Sequence, residues 1–204
     1  MSISVLIQAR LKPEHVCTVL TALKEQLGTT AHSSPGRLRE RIFQRLGSPG
    51  ELISLSHWKT AEQFQAASPA LSGAAVVGAI HEPIRTHHLI RLLSFERPLR
   101  RADVTACALI LPTRGDSPAV RERVVQDRVD LHDAPGLISH EVYVTTEQPM
   151  MYVSLHSWRH LSDLQRFRTE AGPLNEQRLA EVGATLERFT GGLVAEYPLI
   201  GASG

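Results

Sequence analysis

The hydrophobic and polar positions along the chain predict the same order of elements twice: strand, helix, strand, strand, helix, strand. Short segments of alternating apolar and polar residues are typical of half-buried strands, and segments that open on a Pro, Thr or Ser cap are typical of helices. The first half is predicted to contain strand 2–10, a helix from Pro13 to about Leu27, strands 37–46 and 51–58, a helix after Thr60 and strand 89–97. The second half is predicted to contain strand 103–112, a helix from Ser117, strands 137–145 and 150–158, a helix from about Leu161 and a strand near 193–197. Ser68-Pro69 and Gly172-Pro173 are expected to interrupt the second helix of each half, because proline removes a helical hydrogen bond.

The two halves also share residues at an offset of 100 positions. Pro35-Gly36 repeats as Pro135-Gly136, and Trp58 repeats as Trp158, so both tryptophans of the chain occupy one repeat position. Further matches run to the end of each half: Ile53 with Val153, Leu55 with Leu155, Gln65 with Gln165, Pro98 with Pro198, and Leu99 with Leu199. This offset indicates a tandem repeat, with one domain at 1–100 and a second at 101–204.

The element order favours a ferredoxin-like α+β unit (βαββαβ), in which a four-stranded antiparallel sheet carries two helices on one face. The other face of each sheet must also be covered. Strand 51–58 is apolar at Ile53 and Leu55, and strand 150–158 is apolar at Val153 and Leu155. One face of each sheet can therefore pack against the sheet of its sister unit.

Composition and charge narrow the classes of partner. The formal net charge is +1 and arginines alternate with acidic residues, so the sequence offers no basic surface for nucleic acid. No apolar run approaches the ~20 residues of a membrane span, and the N-terminus lacks the pattern of a signal peptide. Cys17 and Cys107 fall in no metal-binding spacing. Two buried thiols in a reducing compartment are expected, and a single disulfide between them is the alternative. We therefore expect a cytoplasmic protein that binds neither nucleic acid nor membrane.

The Pro-Gly turn, the two strands after it, and the Trp that ends the second strand before a helix resemble the antibiotic biosynthesis monooxygenase family of the dimeric α+β barrel superfamily. The resemblance covers nearly the whole chain, once per half, as if the usual homodimer were fused. It implies two tandem units packed sheet to sheet as a pseudo-dimeric α+β barrel, with any self-association through the outer helices. The superfamily holds cofactor-free oxygenases, haem-degrading enzymes, isomerases and proteins without known chemistry, so the same fold serves several functions.

The best candidate site lies on one face of strand 150–158. Successive strand residues point to opposite faces, so Tyr152, Ser154, His156 and Trp158 share a face. The resemblance implies that a Trp at this place lines a pocket for a planar polycyclic substrate, on which an indole can stack. Neutral His156 could take the proton of a phenol, the step that lets an electron-rich ring react with oxygen without a cofactor. His156 and Trp158 are the predicted catalytic residues, with Tyr152 and Ser154 binding substrate. Alternatively, Trp158 fills the core and His156 is an incidental, partly buried histidine.

Other residues could join such pockets. His140 on the preceding strand would reach the second-half site only in one hairpin register, which the sequence does not fix. In the first half the substrate-binding candidates are Ser54, Ser56, Trp58 and, near the end of the first strand, Gln8. Ser56 stands where the second half has His156, so the second half is the favoured active one.

No cofactor or metal is expected. In haem-degrading relatives an Asn occupies the place of Gln8, and a His about one helix length after the Trp binds iron. No histidine stands near Ser68 or Arg168, about ten residues after either Trp, so haem degradation is not expected. His81, His87 and His88 match no standard metal spacing and are interpreted as a solvated linker.

The sequence therefore predicts a cofactor-independent, monooxygenase-like protein acting on a small aromatic or polyketide-like molecule. The alternative is a non-catalytic small-molecule-binding or interaction module of the same fold.

Overall fold

The elements of the chain follow the predicted order in each half. The computed structural model describes residues 2–71, 78–97, 102–113, 115 and 117–197. The first half contains β1 (Ile3–Arg10), a 3₁₀ turn (Pro13–His15), α1 (Val16–Ser33), β2 (Arg37–Arg45), β3 (Glu51–Trp58), α2 (Ala61–Leu71) and β4 (Arg85–Glu96). The second half contains β5 (Val104–Pro112), α3 (Pro118–His132), β6 (Leu137–Thr145), β7 (Tyr152–Trp158), α4 (Leu161–Glu170), α5 (Gly172–Glu181) and β8 (Ala184–Tyr197).

The strands of each half are antiparallel neighbours in the same order. β1 pairs with β3 on one edge and β4 on the other, and β3 pairs with β2. In the same way β5 pairs with β7 and β8, and β7 pairs with β6. The α+β class and the two ferredoxin-like repeats predicted from the sequence are confirmed.

The chain divides into two compact units, which we call the first unit and the second unit. The first comprises residues 1–89 with 193–204, and the second comprises residues 90–192. Both divisions fall inside a long strand, so β4 and β8 each contribute residues to both units. The domain boundary predicted at residues 100 and 101 lies outside the described residues and stays a prediction. The repeated residues Pro98, Leu99, Pro198 and Leu199 also lie outside the described residues.

The Pro-Gly turn is repeated in structure as well as in sequence. Gly36 and Gly136 have φ angles of 93° and 84°, a backbone conformation that favours glycine. A Cβ on Gly36 would lie 2.0 Å from the Gln63 side chain, and one on Gly136 would lie 2.3 Å from Asp163. In both halves the glycine carbonyl accepts a 2.8 Å hydrogen bond from the amide that follows the repeated Trp. The turn therefore fixes where β3 or β7 ends against the next helix.

The last strand of each half begins earlier than predicted. β8 begins at Ala184 rather than near residue 193, because residues 184–192 pair in register with all of β5. β4 begins at Arg85, so His87 and His88 lie in a strand, and the linker predicted for them is wrong.

The two predicted helix interruptions have different outcomes. α2 continues past Pro69 to Leu71, so the break predicted at Ser68-Pro69 is wrong and the proline lies in the last turn. The break at Gly172-Pro173 is confirmed, since α4 ends at Glu170 and α5 begins at Gly172.

Candidate functional site

A β-bulge at the start of β2, and another at the same place in β6, sets which side chains meet across each hairpin. After the bulge, Glu40 lies opposite Ser56, and His140 lies opposite His156. The register that the sequence did not fix therefore brings His140 to the predicted second-half site. It also places an acid at the equivalent position of the first unit.

Ser154 joins the two histidines of the second unit. Its Oγ lies 2.9 Å from Nε2 of His140 and 2.7 Å from Nε2 of His156, and the two imidazole rings meet edge to face with centroids 4.6 Å apart. A serine hydroxyl has one proton to donate. With neutral rings, one histidine donates its Nε2–H to Ser154 and the other accepts the Ser154 proton. The three groups form a short chain that can carry a proton between neighbouring strands.

A cavity of about 70 Å³ lies beside this chain of groups. Burial lowers the pKa of His156 well below its ordinary value, and electrostatic interactions with His140, Arg168 and Arg188 lower it further. His156 is therefore a neutral imidazole near physiological pH. The volume is about half of the ~150 Å³ cavity that admits benzene in another protein. The second-unit cavity is too small for a polycyclic substrate.

The two aromatic residues predicted for this site are core residues. Trp158 is 0% exposed, and its ring centroid lies 5.1 Å from that of Phe167. Tyr152 is 1% exposed and packs in an apolar cluster with Ile110 and Val120. Neither is among the described residues that line the cavity, whereas His140, Ser154 and His156 are. The catalytic roles of His156 and Trp158 stay predictions.

The first unit contains a larger cavity, of about 440 Å³. Residues of β1 to β4, α1 and α2 line it. Its apolar wall consists of Ile7, Ala9, Leu11, Val19, Leu23, Ile42, Leu52, Phe64 and Ile84. Its polar groups are Glu40, Ser54, Gln65, Thr86 and His88. Small-molecule pockets typically measure roughly 300–1,000 Å³ and combine apolar walls with a few polar groups, so this cavity has the size and lining of one.

Glu40 is the buried acid of the first-unit cavity. Its side chain is 1% exposed; Oε1 accepts a 2.9 Å hydrogen bond from Ser54, and Oε2 lies 3.0 Å from Nη1 of Arg37. The Arg37 guanidinium carbon in turn lies 5.0 Å from the centre of the Trp58 ring. Burial raises the pKa of Glu40 above the ordinary carboxyl value, although Arg37 and Ser54 oppose the shift. A carboxylate with a raised pKa is suited to general-base chemistry.

The other residues predicted for the first half lie beside this cavity. Trp58 is 0% exposed and donates its indole N–H to Ser56 Oγ at 2.9 Å. The Trp58 ring packs edge to face on Phe64, which does line the cavity, at 5.7 Å between centroids. Gln8 lies between two lining residues of β1, and strand alternation turns it to the opposite face. Only Ser54 of the four first-half candidates lines the cavity.

Of the polar lining residues, only Ser54 was predicted from the sequence, whereas Glu40, Gln65, Thr86 and His88 were missed. Glu40 occupies the repeat position of His140, a residue that the sequence did single out, so the 100-residue offset was the available signal. His88 was assigned to a linker because β4 was predicted to begin at residue 89. Its ring lies edge to face with Phe64, at 5.8 Å between centroids.

The family model for antibiotic biosynthesis monooxygenases matches residues 2–69 and again residues 104–172. The chain belongs to this family. Each matched segment contains one Pro-Gly turn, one hairpin and one repeated tryptophan, so the tandem arrangement inferred from the sequence is confirmed. Among curated proteins, none matches the sequence significantly.

Solved structures with this fold cover nearly the whole chain. An anthrone oxidase-like protein is 14% identical with a TM-score of 0.75, and the match covers 96% of this chain and 92% of that protein. A proposed monooxygenase from Fusobacterium nucleatum is 7% identical with a TM-score of 0.74, covering 97% and 94%. Another from Lactobacillus acidophilus is 7% identical with a TM-score of 0.69, covering 97% and 96%. At these identities the likeness establishes the fold alone.

Two features are absent from the described residues. No group of three or more His, Cys, Asp or Glu side chains converges to hold a metal ion. None of the helices in the described part of the chain is long and apolar enough to cross a membrane.

Proposed function

We propose that this family member is a cofactor-independent monooxygenase of a small aromatic or polyketide-like molecule, and that the substrate lies in the first-unit cavity. The observation that carries the proposal is the 440 Å³ cavity, mainly apolar, with a buried carboxyl group on its wall. The apolar wall suits a planar fused ring. Ser54 and Glu40 suit a phenolic hydroxyl or carbonyl at the edge of that ring.

In the proposed reaction Glu40 is the general base. It takes a proton from an acidified C–H of the ring system, such as the methylene of an anthrone, and leaves an electron-rich carbanion. The carbanion reacts with O₂ to form a C–O bond, and the peroxide takes up a proton. Glu40 then removes the second C–H proton, the C–H electron pair forms the carbonyl as the O–O bond breaks, and the departing hydroxide takes up a proton and leaves as water. Carbon loses four electrons and O₂ gains them, so no further redox partner is needed.

The raised pKa of Glu40 supports this role. An acid buried among apolar groups holds a proton more tightly than one in water. It is therefore a stronger base than an exposed carboxylate, while Arg37 keeps the charged form accessible.

The test uses an anthrone as substrate, because one structural relative is named anthrone oxidase-like. Dihydroxyanthraquinone serves as a ligand that is stable to oxygen. We expect O₂ consumption with a chelator present, and a loss of roughly 10²–10⁴-fold in turnover in Glu40→Gln, as is typical for a general base. The control is Glu51→Gln, which removes a β3 carboxylate paired with Arg45 outside the described lining of the cavity. Full turnover in Glu40→Gln would eliminate Glu40 as the base.

A specific observation favours the second candidate function, a non-catalytic binding module. Trp58 and Trp158, the residues that the family resemblance places in a substrate pocket, are both 0% exposed and packed in the core. If dihydroxyanthraquinone binds the wild-type chain and neither anthrone nor another electron-rich phenol consumes O₂, the binding function is the correct one.

A further inference from the structure

Basic groups outnumber acidic ones in the described wall of the small second-unit cavity. Its wall includes His140, Ser154 and His156 from the strands, Arg168 from α4 and Arg188 from β8. The remaining polar lining groups are Asp127 and Asn175. Two of the charged groups are neutralised by carboxylate or guanidinium partners: Arg188 pairs with Glu176, and Asp127 pairs with Arg123.

Arg168 is the exception. Its Nη2 donates a 2.6 Å hydrogen bond to Thr190 Oγ1, a neutral group. Among the described residues, no carboxylate forms an ion pair with Arg168. A partly buried guanidinium without a counter-charge is costly, and burial together with Arg188 lowers the pKa of Arg168. An anion in the cavity would remove that cost, and a guanidinium presents its N–H donors in a fork that matches a planar oxyanion.

The volume limits the size of such a ligand. A cavity needs roughly 10–15 Å³ to hold one water, so about 70 Å³ accommodates a molecule of only a few non-hydrogen atoms. The histidine–serine chain of β6 and β7 also lines the cavity and can supply a neutral donor to the same ligand, because His156 is uncharged and each neutral imidazole carries one N–H.

We propose that the second-unit cavity binds a small planar oxyanion, a monocarboxylate or bicarbonate of three or four non-hydrogen atoms, with Arg168 as its charge partner. The first unit provides an internal contrast. There Glu40 occupies the position of His140, and the described lining of the first-unit cavity includes no Arg or Lys to pair with an anion. The repeat has thus produced two cavities of different size and different polar lining.

The experiment titrates [¹³C]formate, acetate and bicarbonate into the full chain, in a buffer whose only other anion is too large for the cavity, and follows binding by ¹³C line broadening and histidine ¹⁵N shifts. We expect saturable, mutually competitive binding of one anion per chain, with benzoate excluded. Arg168→Gln should weaken binding by roughly 10–100-fold, the range for a charge-assisted hydrogen bond. Arg168→Lys should retain part of the affinity.

The matched control is Arg166→Gln, on the same helix but 49% exposed and paired with Asp163, which should leave binding unchanged. Glu40→Gln should also leave it unchanged, so failure here is distinguishable from failure of the proposed oxygenase activity. The proposal is overturned if no anion binds saturably, if Arg168→Gln and Arg168→Lys both bind formate as well as wild type, or if benzoate competes equally.

Discussion

The buried Arg37–Glu40 pair makes a sharp prediction about stability. The charged atoms lie 3.0 Å apart, with side-chain exposures of 2% and 1%. At an effective dielectric constant of about 20, the Coulomb attraction at this distance is about 5.5 kcal/mol. Removing one partner of a buried pair typically costs about 3–5 kcal/mol, because the other charge stays buried without compensation. We therefore expect Arg37→Leu to lower the free energy of unfolding by about 3–5 kcal/mol at pH 8.

The pH dependence of this loss has a definite sign. Without Arg37, burial acts on Glu40 unopposed by that charge, and the folded-state pKa of Glu40 rises further above its unfolded value. A raised carboxyl pKa favours the folded state at low pH and loses that contribution as pH rises through the folded-state pKa. The destabilisation by Arg37→Leu should therefore be smaller at pH 5 than at pH 8.

A double-mutant cycle separates the ion pair from its individual charges. The repeat suggests it, because the second unit has Leu137 and His140 at these two positions and therefore lacks the Arg–Glu pair. Arg37→Leu combined with Glu40→Gln removes both charges and should cost much less than the sum of the single changes. The control is Arg39→Leu, whose partner Glu196 is on the surface and whose loss should cost no more than about 1 kcal/mol. Urea unfolding at both pH values measures all variants. Additive costs, or equal losses for Arg37→Leu and Arg39→Leu, would refute the reasoning.

Three further predictions follow from single contacts. Gly36→Ala should destabilise the chain more than Gly47→Ala, as measured by thermal unfolding, because both have positive φ but only Gly36 faces a side chain within 4 Å; equal losses would show that Gln63 moves aside without cost. One thiol per folded chain should react with a thiol reagent at pH 8 and two after unfolding, because Cys17 is exposed whereas burial raises the pKa of Cys107 to about 12; two fast thiols in the folded chain would contradict this. His156→Ala should leave anthrone turnover near wild type if the first-unit cavity is the active one. His57→Ala should affect mainly stability, since the Nδ1 of His57 forms a 2.8 Å hydrogen bond with Ser4 Oγ on the other sheet face. A large loss of turnover in His156→Ala alone would show that the active site lies in the second unit.

The fold could be predicted because strand alternation is visible within a few residues and the repeat is visible by comparing the two halves of one sequence. Strand alternation identified β2, β3, β6 and β7, and the shared Pro-Gly turn and tryptophan identified the repeat. Both cysteines are free thiols, as expected, but Cys17 is exposed rather than buried.

The candidate site was less accessible to sequence reasoning, because it depends on register and cavity size. The bulge that sets Glu40 and His140 opposite the second strand of each hairpin leaves no pattern in one sequence. Cavity volume depends on how α1 and α2, or α3 to α5, pack on the sheet. A tryptophan on a strand face is equally compatible with lining a pocket and with filling the core, and both tryptophans fill the core.

We propose that the substrate cavity of this family member lies in the first unit. A crystal structure of the chain with dihydroxyanthraquinone tests it most directly. We predict one ligand with its rings against Ala9, Leu52 and Phe64 and an oxygen within hydrogen-bonding distance of Glu40 or Ser54. The density should be absent in Ala9→Trp, which fills this cavity, and present in Ala108→Val, which narrows the second-unit cavity. Ligand density beside His156 and Ser154, with the first-unit cavity empty, would contradict the account.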